Sequence, residues 1–215
     1  MPPVAYPTHW RFMRGTEWNL VTSVFTSTTL PYQWRILVTN ALGADGRPFT
    51  IPTSIAPAVF ATGAGAVSGA AAGTPFFLQG VGAFLGAGVG ATAGYLNSVS
   101  NLGYLINVGS LAMGDLAASD PALLVHEMAH VWQGRNSWFA LSYVVESVVS
   151  QGVSAWRGAG TGGAYTYAPG RPWGSYNPEQ QASIIEDWYK SGMPTAGPLW
   201  PYIRDHVRRG RVTSR

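Results

Sequence analysis

The sequence predicts an α+β fold that is mainly helical, with a smaller β-containing part at the N-terminal end. Three observations carry this expectation. Residues 120–134, 137–151 and 178–190 place apolar side chains at helical spacing between recognisable start and stop residues. Residues 19–29 and 33–40 concentrate the β-branched and aromatic side chains that favour strands. A chain of 215 residues is long enough for one sizeable core with a smaller appendage. The composition divides it into a β-rich part over 1–55, a Gly/Ala-rich segment over 56–96, and a core with a basic tail over 97–215.

Each element has a local reason. The runs Asn19-Leu-Val-Thr-Ser-Val-Phe-Thr-Ser-Thr-Thr and Gln33-Trp-Arg-Ile-Leu-Val-Thr-Asn read as strands, and Leu42-Gly-Ala-Asp-Gly-Arg-Pro as a turn. No charged residue and no histidine occurs between Arg47 and Asp115. Inside that stretch glycine recurs at every fourth position, at 65, 69 and 73 and again at 82, 86, 90 and 94. Such spacing lets apolar helices approach closely in a membrane, and Phe76 to Leu96 is 21 residues, enough to cross one. Glycine is also a poor helix former, so a buried hairpin or a flexible insertion is the competing reading.

For the helix at 120–134, Ser119 or Asp120 can cap, Pro121 suits the first position and Gly134 can end it. The run 137–151 carries Trp138, Leu141, Val144, Val145, Val148 and Val149. Residues 152–177 read as a loop. Asn177-Pro178-Glu179-Gln180 starts the helix at 178–190, and Gly192 stops it. A short helix is expected around 202–209.

Composition narrows the function classes. The formal charge is +3 and charged residues make up 11% of the chain, which is low for a soluble domain. Twelve of the thirteen basic residues are arginine, and five of these fall in the last twelve positions. A basic tail can bind nucleic acid or anionic lipid, but a solvated terminus is the favoured reading, and nothing else resembles a nucleic-acid module, so no nucleic-acid partner is expected. Cysteine is absent, so there is no disulfide framework and any metal must be held by His, Glu or Asp. The first residues, MPPVAYPTHWRFMRG, do not form a standard signal peptide.

The chemistry concentrates in Leu123-Leu124-Val125-His126-Glu127-Met128-Ala129-His130-Val131-Trp132-Gln133. Residues four apart share a helix face, so His126 and His130 can present two imidazoles to one metal ion. Glu127 lies beside them, within reach of a water at that metal, where it can act as a general base. A catalytic zinc usually takes three protein ligands and leaves one position open. The third must come from elsewhere: Glu179, or Glu146, Glu186 or Asp187. Glu146 sits among valines and needs a partner. Glu179 and Glu186 are seven residues apart and share a helix face. Tyr176 and Tyr167, with Tyr165 and Arg171, lie on the loop before the third helix and are candidates to donate to an oxyanion. Gln133, Asn136 and His206 are further polar candidates for substrate contact.

The motif is the zincin signature, and Glu179-Gln180-Gln181-Ala182 resembles the start of the third-ligand helix of gluzincin peptidases. Many gluzincins carry Asp at the next position, where it orients a histidine ligand; here it is Ser183, and Asp187, one turn on, is a possible substitute. His126-Glu-Met-Ala-His-Val-Trp-Gln followed by Tyr176-Asn-Pro-Glu-Gln-Gln-Ala resembles the Vgr- and Rhs-related metallopeptidase-like proteins of bacterial type VI secretion and polymorphic toxins. The similarity covers about residues 97–190, with Gly46-Arg-Pro-Phe-Thr-Ile-Pro as a further strand start, and omits the glycine-rich middle.

The resemblance implies a zincin-like core and a Zn2+ cofactor held by His126 and His130, with Glu127 as base; Glu-x-x-Ala adds Glu179 as the third ligand. It implies a bacterial effector secreted without a standard signal peptide and acting on a protein or peptide. An immunity protein or a secretion-system component would be its partner. The glycine-rich segment adds membrane contact, and a membrane-inserting or structural protein with a non-catalytic metal site is the alternative expectation.

Overall fold

The computed structural model describes residues 7–41, 48–53, 103–137 and 165–212. Within them the chain is α+β and mainly helical. Four short strands form one sheet: β1 (Trp10–Phe12), β2 (Ile36–Thr39), β3 (Phe49–Pro52) and β4 (Tyr104–Asn107). Their spatial order is β1-β2-β4-β3. β1 runs antiparallel to β2, β2 parallel to β4, and β3 antiparallel to β4. The helices are α1 (Gly15–Phe25), α2 (Leu116–Ser119), α3 (Pro121–Asn136), α4 (Pro178–Lys190) and α5 (Trp200–Asp205).

Residues paired in register share a face of a sheet. Ile36 and Val38 of β2, Tyr104 and Ile106 of β4 and Thr50 of β3 therefore lie together, and all are buried toward the helices. The central element is α3. Its side chains from Leu124 to Gln133 are all buried, Trp132 and Met128 completely. Burial of each such large apolar side chain contributes roughly 1.5–3 kcal/mol. α3 packs along α4 on one side and against β3 and α1 on others. A helix enclosed in this way needs no polar face, and the polar side chains it buries are His126, Glu127, His130 and Gln133.

Local signals set the ends of α3. The Asp120 carboxylate accepts from the Leu123 amide at 3.0 Å, and Pro121 takes the first turn. The helix does not stop at Gly134. It continues to Asn136, where Ser137 Oγ donates to the Gln133 carbonyl at 2.6 Å. Asn136 Nδ2 donates to the Thr29 and Trp132 carbonyls at 2.8 and 2.7 Å. Gly210, in the left-handed region at φ 64°, lies against Asn136; a Cβ there would sit 2.5 Å from Asn136 Oδ1.

The expected strand at 19–29 is replaced by α1 and a 3-10 turn at Ser27–Thr29. Its β-branched residues mislead because burial follows helical spacing: Glu17, Val21, Val24 and Phe25 form one inward face. The Thr22 and Ser23 hydroxyls donate back to the Trp18 and Leu20 carbonyls, so they do not compete with the helix. The second expected strand shortens to β2, after a 3-10 turn at Gln33–Arg35. The expected tail helix is α5 followed by a 3-10 turn at Val207–Arg209. The turn at 42–47, the glycine-rich segment 56–96 and almost all of the 137–151 run, with Glu146, lie outside the described residues. Among the described residues, no helix is long and apolar enough to cross a membrane.

One buried ion pair joins β1, α1 and α2. Glu17 is fully buried, and its carboxylate accepts from Arg11 Nη2 at 2.6 Å and Arg11 Nη1 at 2.8 Å. It also accepts from the Arg14 and Leu116 amides at 2.7 and 2.9 Å. Burial alone would raise the Glu17 carboxyl, but these four donors outweigh it and hold it below the usual carboxylate range. The stabilisation is therefore present above the unfolded glutamate value and is lost as pH falls through the lowered folded one. Glu17→Ala should cost about 3–5 kcal/mol, because it strands the Arg11 charge and two amides. Thermal unfolding of the variant checks this, and the acid limb of its stability curve should flatten.

Candidate metal centre

The site is built where α3 meets the first turn of α4. On α3, His126 and His130 are one turn apart, with ring centroids 5.2 Å apart. On α4, Asn177 Oδ1 accepts from the Gln180 amide at 2.8 Å, and Gln180 Oε1 accepts from the Asn177 amide at 3.1 Å. This capping box, with Pro178 behind it, fixes the start of α4. It places Glu179 in the first turn, where the helix dipole favours a carboxylate.

Glu179 Oε2 lies 3.3 Å from His126 Nε2 and 3.4 Å from His130 Nε2. One ligand atom from each of the three residues falls within 4.8 Å of the others, and all three residues are buried. His126, His130 and Glu179 thus form a cluster that could hold a metal ion.

The far side of each ring decides which nitrogen is available. His126 Nδ1 is 3.0 Å from Glu186 Oε2. A carboxylate only accepts, so Nδ1 carries the proton and donates. His130 Nδ1 is 2.9 Å from Gln133 Oε1. The Gln133 amide is oriented in turn, because its Nε2 donates to the Pro178 carbonyl at 2.9 Å and to Gln181 Oε1 at 3.2 Å. Both rings therefore keep Nδ1 protonated and can offer Nε2 as a lone pair toward Glu179. That tautomer suits a neutral imidazole ligand.

Without a metal the cluster holds protons instead. Burial would pull the His126 imidazolium down, but hydrogen bonds to Glu179 and Glu186 outweigh it, and its pKa is pushed up to about 10. His130 moves in the same direction, the Glu179 charge overcoming burial. Glu179 is held well below the usual carboxylate range, because His130 and His126 overcome its own burial. Glu186 is lowered too, by His126 and Lys190 acting against partial burial.

Glu127 is almost fully buried beside this cluster. Its Oε2 accepts from Thr50 Oγ1 of β3 at 2.7 Å. Burial pushes its carboxyl up, opposed by His130, His126 and Thr50.

The other expected residues fall in several places. Tyr176 is buried; its hydroxyl donates to the Ala168 carbonyl at 2.7 Å and sits 3.1 Å from the Tyr202 hydroxyl. Tyr167 donates to Asp187 Oδ2 at 2.8 Å. Both hydroxyls thus have partners in the loop and in α4 or α5. Arg171 lies over the Tyr176 ring at 5.5 Å. His206 stacks on Trp173 at 5.4 Å. The Tyr165 ring lies 5.9 Å from the His126 ring. With Thr166, Tyr167, Pro169 and Asp187 it lines a cavity of about 360 Å³.

Two contributors were not assigned from the chain alone. Glu186, rather than Asp187, partners the His126 ring, and Thr50 contacts Glu127. The signal for Glu186 was its seven-residue spacing from Glu179, which puts both carboxylates on the face toward α3. Thr50 had no signal, because its role depends on strand register.

Metal binding must displace the protons that the two imidazoles share with Glu179. Zinc affinity should therefore rise with pH, with net release of protons on binding. Titration calorimetry in buffers of different ionisation heat measures that release. Glu186→Gln and Gln133→Ala should each weaken zinc binding by about 10–100-fold, because each frees a ligand ring.

None of the protein families, curated proteins or solved structures compared with the chain matches it. The metal cluster therefore stands on the geometry of its own residues.

Proposed function

We propose that the chain is a zinc-dependent metallopeptidase with a zincin-like core. The observation that carries the reading is the convergence of His126 Nε2, His130 Nε2 and Glu179 Oε2 next to a buried fourth group, Glu127. Two imidazoles and one carboxylate are the donor set of hydrolytic zinc sites, and three protein ligands leave room for water. A zinc ion held there supplies Lewis acidity, which lowers the pKa of a water and polarises a carbonyl.

Glu127 is the general base. Thr50 occupies its Oε2, which fixes the carboxylate and leaves Oε1 to take a proton from the attacking water. The water oxygen bonds to the carbonyl carbon, the C–N bond breaks, and the departing nitrogen leaves with the proton that Glu127 removed. A carboxyl raised by burial suits both halves of that transfer. Tyr165 lines that cavity and also contacts the His126 ring, so the cavity is the place proposed for part of the peptide chain. Tyr165 then becomes the aromatic candidate for contact with the oxyanion, ahead of Tyr167 and Tyr176.

The wider setting of the proposal is a secreted bacterial effector. Its target would be a protein or peptide, and its partner an immunity protein or secretion-system component. The motif residues and the Glu-x-x-Ala turn support that setting.

Glu127→Gln should retain zinc at wild-type stoichiometry and lose about 10²–10⁴-fold in hydrolysis of casein or mixed fluorogenic peptides. Full activity in that variant contradicts the assigned base. Thr50→Val should lower kcat with little change in KM, since it loosens the base without touching the ligands.

A further inference from the structure

The cavity beside the cluster has a wall of fixed shape and one charged group. Tyr165, Thr166, Tyr167, Pro169 and Asp187 line it. It adjoins the metal cluster at two points. The Tyr165 ring contacts the His126 ring, and Asp187 follows Glu186, the partner of His126 Nδ1. The loop that forms the wall is held from behind. Gln180 Nε2 donates to the Thr166 carbonyl at 2.7 Å, and the Tyr176 hydroxyl donates to the Ala168 carbonyl at 2.7 Å. The Gly170 amide donates to the Tyr202 hydroxyl at 2.7 Å. A wall formed in advance spares an entering group the cost of ordering it.

Among the described residues that line the cavity, Asp187 is the charged one. Its Oδ2 accepts from the Tyr167 hydroxyl at 2.8 Å, which fixes the carboxylate against the aromatic wall. Its Oδ1 stands 3.7 Å from Lys190 Nζ, longer than a hydrogen bond, whereas Lys190 donates to Glu186 Oε1 at 3.4 Å. The Lys190 and Asp187 side chains are 55% and 47% exposed, so water screens this pairing. Oδ1 can thus take a further donor. The other nearby cations are directed elsewhere. Arg171 lies over the Tyr176 ring and its Nη2 donates to the Ser175 carbonyl at 3.4 Å. His126 is matched by Glu179 and Glu186.

This lining selects among side chains. Lysine and arginine carry an apolar stem that covers ring and proline surface, and a head that needs an anion. Tyrosine rings attract a cation, and an oriented carboxylate gives it a charge-assisted hydrogen bond. An acidic side chain would meet Asp187 with like charge. An aliphatic one would take water from Oδ1 and give it no donor in return.

We propose that this cavity is a specificity pocket for a lysine or arginine side chain of the peptide substrate, with the cationic head on Asp187 Oδ1. The substrate class rests on the peptidase reading, but the preference for a cation is a property of binding and needs no turnover.

Isothermal titration calorimetry with the zinc-loaded Glu127→Gln chain measures that preference without consuming the peptide. The probes are alanine-glycine peptides with one arginine, lysine, norleucine or glutamate, acetylated and amidated so that their termini carry no charge. The arginine and lysine peptides should bind roughly tenfold more tightly than the norleucine peptide, and the glutamate peptide more weakly still. Asp187→Asn should abolish that difference and leave the norleucine affinity unchanged. Its amide oxygen can still accept from Tyr167, and thermal unfolding confirms the fold. Asp187→Arg is the second variant and should turn the preference toward the glutamate peptide. With Glu127 intact, Asp187→Asn should lower kcat/KM for the arginine peptide about tenfold, through KM, and spare the norleucine peptide. Equal affinity for the arginine and norleucine peptides, a preference that survives Asp187→Asn, or binding that requires a free N-terminal amine overturns the pocket. Cleavage without a cationic preference overturns the pocket alone. An Asp187-dependent preference without cleavage of any probe supports the pocket and counts against the peptidase reading instead.

Discussion

Two imidazole rings on α3 are each held from behind, and the rest of the site depends on that restraint. His126 Nδ1 donates to Glu186, and His130 Nδ1 donates to Gln133. With the rear nitrogens engaged, both front nitrogens address Glu179. Helical spacing alone would put the histidines on one face but leave each ring free to turn about its own axis. The packing of α3 on α4 removes that freedom, because Glu179, Gln181 and Glu186 all come from α4, and Gln133 is anchored to its first residue, Pro178. The metal cluster is thus a property of a helix pair.

The sheet contributes through one strand. β3 lies along α3 and brings Thr50 to Glu127, a carboxylate that burial would otherwise leave with few partners. Two imidazoles, Glu179 and Glu127 are buried together with Glu186 half-buried at their edge; attraction offsets the cost of desolvation for the imidazoles and Glu179, while burial prevails at Glu127. A divalent cation would replace displaced protons there while leaving the hydrogen bonds at the rear of each ring intact. Elsewhere, Glu17 does for β1, α1 and α2 what Glu179 does for α3 and α4: one buried carboxylate collects donors from several elements.

The chain alone revealed α3 and α4 because their ends carry strong local chemistry. Asp120 and Pro121 begin one, Asn177, Pro178 and Gln180 the other, and these side chains make the capping bonds expected of them. It was less informative where burial overrides propensity. The threonines and valines of 19–29 suggest a strand, yet the inward spacing of Glu17, Val21, Val24 and Phe25 favours a helix. Gly134 suggested an end, but a buried helix tolerates glycine when its neighbours cap further on. Two histidines and Glu179 could be placed together from spacing and a start signal. Thr50 could not, since its contact joins residues 77 positions apart through the register of β3 on β4. Asp187 was a reasonable substitute for a missing orienting carboxylate, but Glu186 occupies the helix face that meets His126, while Asp187 pairs with Tyr167.

X-ray absorption at the zinc edge of the stoichiometrically loaded chain tests the central claim most directly. The account predicts a first shell with two imidazole nitrogens and carboxylate oxygen at about 2.0–2.2 Å, with one imidazole lost in His130→Ala. A chain that takes up no stoichiometric zinc, or a shell of oxygen atoms alone that His130→Ala leaves unchanged, would contradict it.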